Sequence, residues 1–400
     1  MEFSKKIIIF LIIILSFYII FRFLKKRMIL LDIIEGYENS YVNSLERNNA
    51  TSLAIDNFTV DNLTKRNGIM DITESLKLKH YLIKSSFNTA FNGSSMDLEM
   101  VKYVISRGCR FLDFEVFWSI PTDSTDNNPR AVVSMSDDPF SPSNNTLLLN
   151  DVLKMIMLNA FNSTAPNPDD PLFIQIRPKV ANKKNEQMEL FNKIASSILF
   201  YFGNVKNSNV LFNGNVDKNT DISSLMRKVI IVFDNTAYPT YSYNSPELKN
   251  IVHLETMSDS MMLYDHSSFN MTNKQVETQN ETPNPTQTPT PTPTQHNSGQ
   301  YPIHKLSVNP DEYTTNIDII NQVLPIMTDD GKRYTMLENT EFKDMIYYGA
   351  QIIPMEFWSN DKHLKIYEDL FNDYGNNNLL IGSAFIPFTS AMSYLSMNAY

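Results

Sequence analysis

A single cysteine, Cys109, stands in 400 residues, so an intramolecular disulfide and a thiolate zinc cluster are both ruled out, and the core holds without staples on either side of a membrane. Positive charge is in deficit: 34 Lys and Arg against 44 Asp and Glu leave a formal net charge of -10. That balance argues against a nucleic-acid binder, which would carry a basic stripe, and gives no general attraction to anionic lipid, so any lipid contact is local. Internal repeats are missing, as are a glycine-rich phosphate loop, a C-x-x-C pair and an H-E-x-x-H helix, which removes the common enzyme signatures.

What is present suits a globular chain with a sizeable core: 42% hydrophobic and 20% charged residues. Length leaves one or two domains open, because an α/β barrel reaches about 250 residues or more as one unit. Residues Ile7 to Phe21 read IIIFLIIILSFYIIF without a charge, between Lys5 and Lys6 on one side and Arg22, Lys25, Lys26 and Arg27 on the other. With Leu24 and the snorkelling stems of Lys6 and Arg22 the run approaches the roughly 17 to 20 residues of a membrane span. A retained N-terminal transmembrane helix is preferred over a cleaved signal peptide, because no small-x-small site follows and a basic cluster stands where cleavage would fall. The heavier positive cluster on the C-terminal side points to a cytosolic domain. The acceptor sequons beginning at Asn49, Asn57, Asn62, Asn92, Asn162, Asn270 and Asn280 point to a lumenal one, though many arise by chance in a chain rich in Asn, Ser and Thr.

Behind the anchor (1–27), residues 28–75 are polar and little patterned, a stalk or wrapping segment. Short apolar runs then recur at Leu78 to Ile83, Phe111 to Phe117, Ala131 to Met135, Leu172 to Ile176, Val229 to Phe233, Ile251 to Leu254, Gln351 to Phe357 and Leu379 to Ile381. Most are continuous rather than alternating, the pattern of parallel strands buried on both faces. Helical stretches at Leu98 to Ser106, Asn150 to Leu158 and Asn185 to Tyr201 lie between strands. The expected fold is therefore α/β, with a (β/α)8 TIM-type barrel as the closed solution. Val276 to Gly299, with NPTQTPTPTPTQ at its centre, reads as an extended spacer that splits the barrel's sequence in two.

Three stretches are more specific. Lys79 to Thr89 reads KHYLIKSSFNT and Ser106 to Phe117 reads SRGCRFLDFEVF; near the end, Tyr348 to Phe357 reads YGAQIIPMEF. These resemble the X and Y regions of the phosphoinositide-specific phospholipase C family. The resemblance implies one barrel over 76–390: an X-like half 76–235, an insertion 236–333 holding the Pro/Thr segment, and a Y-like half 334–390. It also implies a phosphoric diester hydrolase that uses two histidines and calcium. Here Phe87 stands at the first histidine position and the second falls near Met135; neither side chain can donate to phosphate or take a proton. Asn88, Asp113 and Glu115 match calcium-ligand positions and are hard oxygen ligands. Arg177 falls at or beside the fourth, where a guanidinium pairs with the two carboxylates and stands in for the cation. Family phosphate-binding lysines are replaced by Val232 and Asp234, which argues against a polyanionic headgroup.

Several readings stay open. Asp113 and Glu115 alternate on a strand and face one side, as a site requires, yet a structural salt bridge with Arg107, Arg110 or Arg177 explains them equally. Asn88 caps or turns the backbone, and Phe117 and Trp118 belong to core packing before lipid contact. The first expectation is a membrane-anchored pseudoenzyme that binds a phosphoinositide headgroup or a protein partner. The alternatives are an active phosphodiesterase with a non-standard acid/base and optional calcium, and a glycosylated surface or assembly protein.

Overall fold

The structure, a computed structural model, describes residues 77–120, 128–265, 320–324, 339–373 and 384–397, apart from short gaps inside the second and fourth of these stretches. The expected anchor, the stalk, the Pro/Thr segment, the run Leu379 to Ile381 and the sequons at Asn49, Asn57, Asn62, Asn270 and Asn280 lie outside the described residues. Among the described residues no helix is long and apolar enough to cross a membrane.

The strands are β1 (Tyr81–Ile83), β2 (Ser85–Ser86), β3 (Phe111–Ser119), β4 (Arg130–Val133), β5 (Leu147–Leu148), β6 (Leu172–Lys179), β7 (Val229–Phe233), β8 (Leu254–Glu255), β9 (Met261–Asp265), β10 (Ile320–Leu324) and β11 (Phe385–Pro387). The helices are α1 (Leu98–Ser106), α2 (Leu149–Ala160), α3 (Lys184–Phe202), α4 (Tyr241–Asn244), α5 (Pro246–Ile251), α6 (Lys343–Tyr347), α7 (Lys362–Asp373) and α8 (Phe388–Met397). The backbone of the site is a parallel run in the order β2, β3, β6, β7, β8. β9 and β10 form a second parallel pair, and β11 runs antiparallel to β1. Parallel bridges Ile83 to Ile352, Ser86 to Met355 and Gln322 to Ile352 link the segment around residue 352 to its neighbours on both sides.

Each departure from the expected strands has a local cause. β4 lies antiparallel to β3 and carries β5 at its edge, so the run at Ala131 is a hairpin arm rather than a parallel strand. The run at Ile251 is helical at its start: the Ser245 hydroxyl accepts from Leu248 N–H and Pro246 occupies the first turn, a strong helix-start signal. Only Leu254–Glu255 remains as strand. Gln351 to Phe357 makes bridges but no continuous ladder, and Pro354 at its centre has no N–H to give. α1 starts where the Asp97 carboxylate accepts from Glu99 N–H, and the chain leaves it through Gly108 at φ 83, a conformation that glycine adopts without strain.

Two apolar clusters flank the sheet. The larger packs Leu112, Phe114 and Val116 of β3 and Ile174 and Ile176 of β6 against α1, α2 and α3. The smaller holds Phe111, Phe173, Ile230, Val232, Leu254, Ile320, Ile352 and Phe385. Because side chains alternate along a strand, Phe111, Asp113 and Glu115 share the face of the smaller cluster, and so do Phe173, Gln175, Arg177 and Lys179. That face begins apolar at the amino ends of the strands and turns polar toward their carboxyl ends. Phe117 is fully buried, and Trp118 packs on the larger cluster.

Candidate functional site

Register sets the site. β3 and β6 pair in parallel with Asp113 opposite Gln175 and Glu115 opposite Arg177, which lays two carboxylates and one guanidinium side by side. Arg177 donates from Nε to Asp113 Oδ1 at 2.7 Å and from Nη2 to Asp113 Oδ2 at 2.7 Å, a bidentate pair. Nη1 donates to Glu115 Oε1 at 2.7 Å, and Nη2 donates again to Asn88 Oδ1 at 2.9 Å. Four of the five guanidinium N–H groups are thus spent on three residues. The Phe87 ring covers the guanidinium, its centroid 4.7 Å from Cζ, a cation–π contact. Asp113 and Glu115 are wholly buried and the Arg177 side chain is 6% exposed.

The loop after β2 is folded onto β3 to complete this arrangement. Asn88 N–H donates to Asp113 Oδ2 at 3.0 Å, Thr89 N–H to the Asp113 carbonyl at 2.9 Å, and Asp113 N–H to Thr89 Oγ1 at 3.0 Å. Asn88 sits at φ 38, the left-handed region that asparagine tolerates better than most side chains. Its Nδ2 is buried without a partner among the described residues, because Oδ1 is the atom turned to Arg177.

The structure brings Asn88, Asp113, Glu115, Arg177 and Phe87 into one cluster. Met135 is not in it; it follows β4 and packs on the larger apolar cluster. Of the three arginines that could pair with the carboxylates, only Arg177 does so: Arg107 pairs with Glu368, and Arg110 donates to Asn167. Val232 is buried among apolar side chains. Asp234 accepts from Thr236 and Thr256 hydroxyls at 2.6 and 2.8 Å.

The calcium implied by the resemblance does not fit these residues. Calcium takes six to eight oxygens, and here Asn88 Oδ1, both Asp113 oxygens and Glu115 Oε1 already accept from one guanidinium. A divalent ion would have to displace that cation or stand against it. Among the described residues no group of three His, Cys, Asp or Glu side chains is placed to hold a metal ion.

Three features escaped the sequence reading. Lys179, two residues beyond Arg177 on the same face, lies 3.7 Å from Glu115 Oε1. Burial and the Arg177 charge push its ammonium down to about 8 against the pull of Asp234 and Asp113. The period of two along β6 was the signal that pointed to it. Below the charged cluster, Gln175 and Gln322 exchange hydrogen bonds, Gln175 Nε2 to Gln322 Oε1 at 3.1 Å and Gln322 Nε2 to Gln175 Oε1 at 2.5 Å. Glu356 is buried, its Oε2 without a partner among the described residues; burial, and then the Asp361 charge, push its carboxyl up to about 8. Neither glutamine pairing across 147 residues nor the burial of one glutamate has a local sequence signature.

A parallel α/β sheet with a buried charged cluster toward the carboxyl ends of its strands is the class of protein that the fold and site define. Within it, residues 74–233 match the family model of the phosphatidylinositol-specific phospholipase C X domain. No curated protein matches the chain. Among solved structures, PLC21 of L. pealei is similar at 14% identity and a TM-score of 0.49, and PLC21 of S. officinalis at 15% and 0.48; each comparison covers 78% of this chain. The chain spans 37% of the length of either of them. A calcium-dependent phosphoinositol-specific phospholipase C from Pseudomonas sp is similar at 9% identity and a TM-score of 0.36, over 78% of this chain and 95% of that one.

Proposed function

We propose that this chain is a membrane-anchored, phospholipase-C-like protein that holds a phosphoinositide headgroup without hydrolysing it. The observation that carries the reading is the Arg177 cluster: a guanidinium fills the set of oxygens at which the resemblance puts calcium, and Phe87 lies over it. Positioned acid/base groups and charge clamps are worth orders of magnitude each in rate. An aromatic ring at one histidine position and Met135 beside the other supply neither. In this reading the parallel strands close into a (β/α)8 barrel over 76–390, with its ligand side at their carboxyl ends. The apolar run at Ile7 to Phe21 spans the membrane as the anchor, and the barrel faces the cytosol. Asp234, in place of a phosphate-binding lysine, turns the site away from polyphosphorylated headgroups.

The test is hydrolysis of phosphatidylinositol by the full-length protein, with calcium and with chelator, beside Glu115→Ala. No turnover above background is expected in either condition. Turnover that Glu115→Ala abolishes would overturn the reading and make the chain an active diesterase with a different acid/base.

A further inference from the structure

The charged cluster is closed to ligands on most sides. Asp113 and Glu115 are inaccessible and Arg177 nearly so, whereas the Lys179 side chain is 24% exposed. Anything that approaches the cluster from solvent therefore meets Lys179 first. Its ammonium stands 3.7 Å from Glu115 Oε1, beyond hydrogen-bond distance, and among the described residues it has no hydrogen-bond acceptor. Three N–H donors on a half-buried cation, ion-paired with Glu115, thus lack hydrogen-bond acceptors among the described residues. The other cation, Arg177, has spent four of its five donors and Asn88 Nδ2 is buried, so Lys179 is the accessible group of the cluster with the most capacity left to grip an oxyanion.

The local charge limits what that oxyanion is. Two cations, Arg177 and Lys179, stand among three carboxylates, Asp113, Glu115 and Asp234, and Asp234 acts on the Lys179 ammonium. The cluster is already net negative, so a first phosphoryl group is held by the open N–H donors of Lys179 against that charge, and each further phosphate adds repulsion with no free cation to offset it.

We propose that Lys179 is the specificity-determining residue of this site, gripping a ligand that carries a single phosphoryl group, and that the surrounding carboxylates reject ligands carrying several. This rests on the headgroup-binding reading above, and adds to it the gripping residue and the part of Asp113 and Glu115 in the charge limit. A lipid phosphodiester and a free inositol monophosphate share the required chemistry.

The experiment is calorimetric titration of the full-length protein with three probes: short-chain phosphatidylinositol below its micelle concentration, inositol 1-phosphate, and inositol 1,4,5-trisphosphate. At least one of the first two should bind, and the trisphosphate should bind no tighter; binding of the lipid alone identifies a diester ligand. Lys179→Met should weaken binding by about tenfold or more, the loss expected for charge-assisted hydrogen bonds. Lys179→Arg should keep most of it, and Lys183→Met, on an exposed lysine paired with Glu186, should change nothing. Wild-type binding that Lys179→Met leaves intact would overturn the inference and spare the headgroup reading. Tighter binding of the trisphosphate would overturn the charge limit, and no binding of any probe would remove the headgroup reading together with the inference. If Lys179→Met does not fold, acetylation of Lys179 in the wild-type protein, followed by peptide mass spectrometry with Lys183 as reference, decides. A saturating monophosphate ligand should slow it, and an unchanged rate would overturn the assignment.

Discussion

Arg177 is the residue on which the site depends, and its energetics follow from burial. Two carboxylates without exposure are tolerable chiefly because one guanidinium answers both. Arg177→Ala leaves Asp113 with the Asn88 N–H and Glu115 with the more distant Lys179 ammonium, so stability should fall by about 3–5 kcal/mol, the usual cost of removing one partner of a buried pair, read as a lowered thermal midpoint. The same change frees Asn88, Asp113 and Glu115 oxygens for a hard cation. Millimolar calcium should accordingly raise the midpoint of Arg177→Ala and leave the wild type unmoved. A calcium-induced rise in the wild type would mean that the guanidinium yields its place to the metal.

At the scale of elements, the sheet is pinned to its surroundings by side chains that the strand pattern does not reveal. His253, between α5 and β8, accepts from Ile231 N–H of β7 at Nδ1, 2.9 Å, and its Nε2 lies 2.9 Å from the Phe212 carbonyl. Because Nδ1 accepts, the proton of the neutral ring belongs on Nε2, which donates to Phe212. Burial lowers the affinity of this ring for a second proton below the ordinary value of 6.5, against the opposing pull of the Phe212 carbonyl. The sign of the pH effect follows. As pH falls below about 6.5 the unfolded chain takes up a proton that the folded ring refuses, so the staple contributes fully above that pH and its contribution is lost on acidification. His253→Ala should cost on the order of 1–2 kcal/mol at pH 8, and its denaturation curve should converge on the wild type's as pH falls to about 5. A difference that stays constant over this range would show that the ring does not titrate as the geometry requires.

At the scale of the whole molecule, a buried ionic latch joins the first strands to the C-terminal helices. Glu368 of α7 accepts from Arg107 Nε at 2.8 Å and from Lys84 Nζ at 3.4 Å, and Arg107 Nη2 pairs with its second oxygen. Burial works to raise the Glu368 carboxyl, but Lys84 and Arg107 together hold it below the usual range. Beside it, Tyr367 Oη accepts from Ser85 N–H at 2.9 Å, so α7 sits on the junction of β1 and β2. Glu368→Gln should cost about 3–5 kcal/mol. Since the pair is buried, raising ionic strength should change that cost little, in contrast to an exposed pair. A cost that disappears in high salt would mean that the latch is solvent-screened and that apolar packing alone joins the two regions.

Local chemistry in the sequence carried much of the fold. Val229 to Phe233 reads as a strand and is β7, and Leu98 to Ser106 reads as a helix and is α1, because uninterrupted β-branched runs and a capped amphipathic turn decide their conformation over a few residues. The alternation of Asp113 and Glu115, and Arg177 at a ligand position, were legible for the same reason: a period of two needs no knowledge of the neighbouring strand. What pairs with what was not. Three arginines were equal candidates in sequence, and the parallel register of β3 with β6 set Arg177 opposite Glu115 while Arg107 and Arg110 lie at the start of β3 with other partners. The guanidinium seated on the Asn88, Asp113 and Glu115 oxygens, the open ammonium of Lys179, the glutamine pair across 147 residues and the Glu368 latch exist only once distant strands and helices meet. Hydrogen-bond geometry and burial belong to that meeting, and no single stretch of chain contains them.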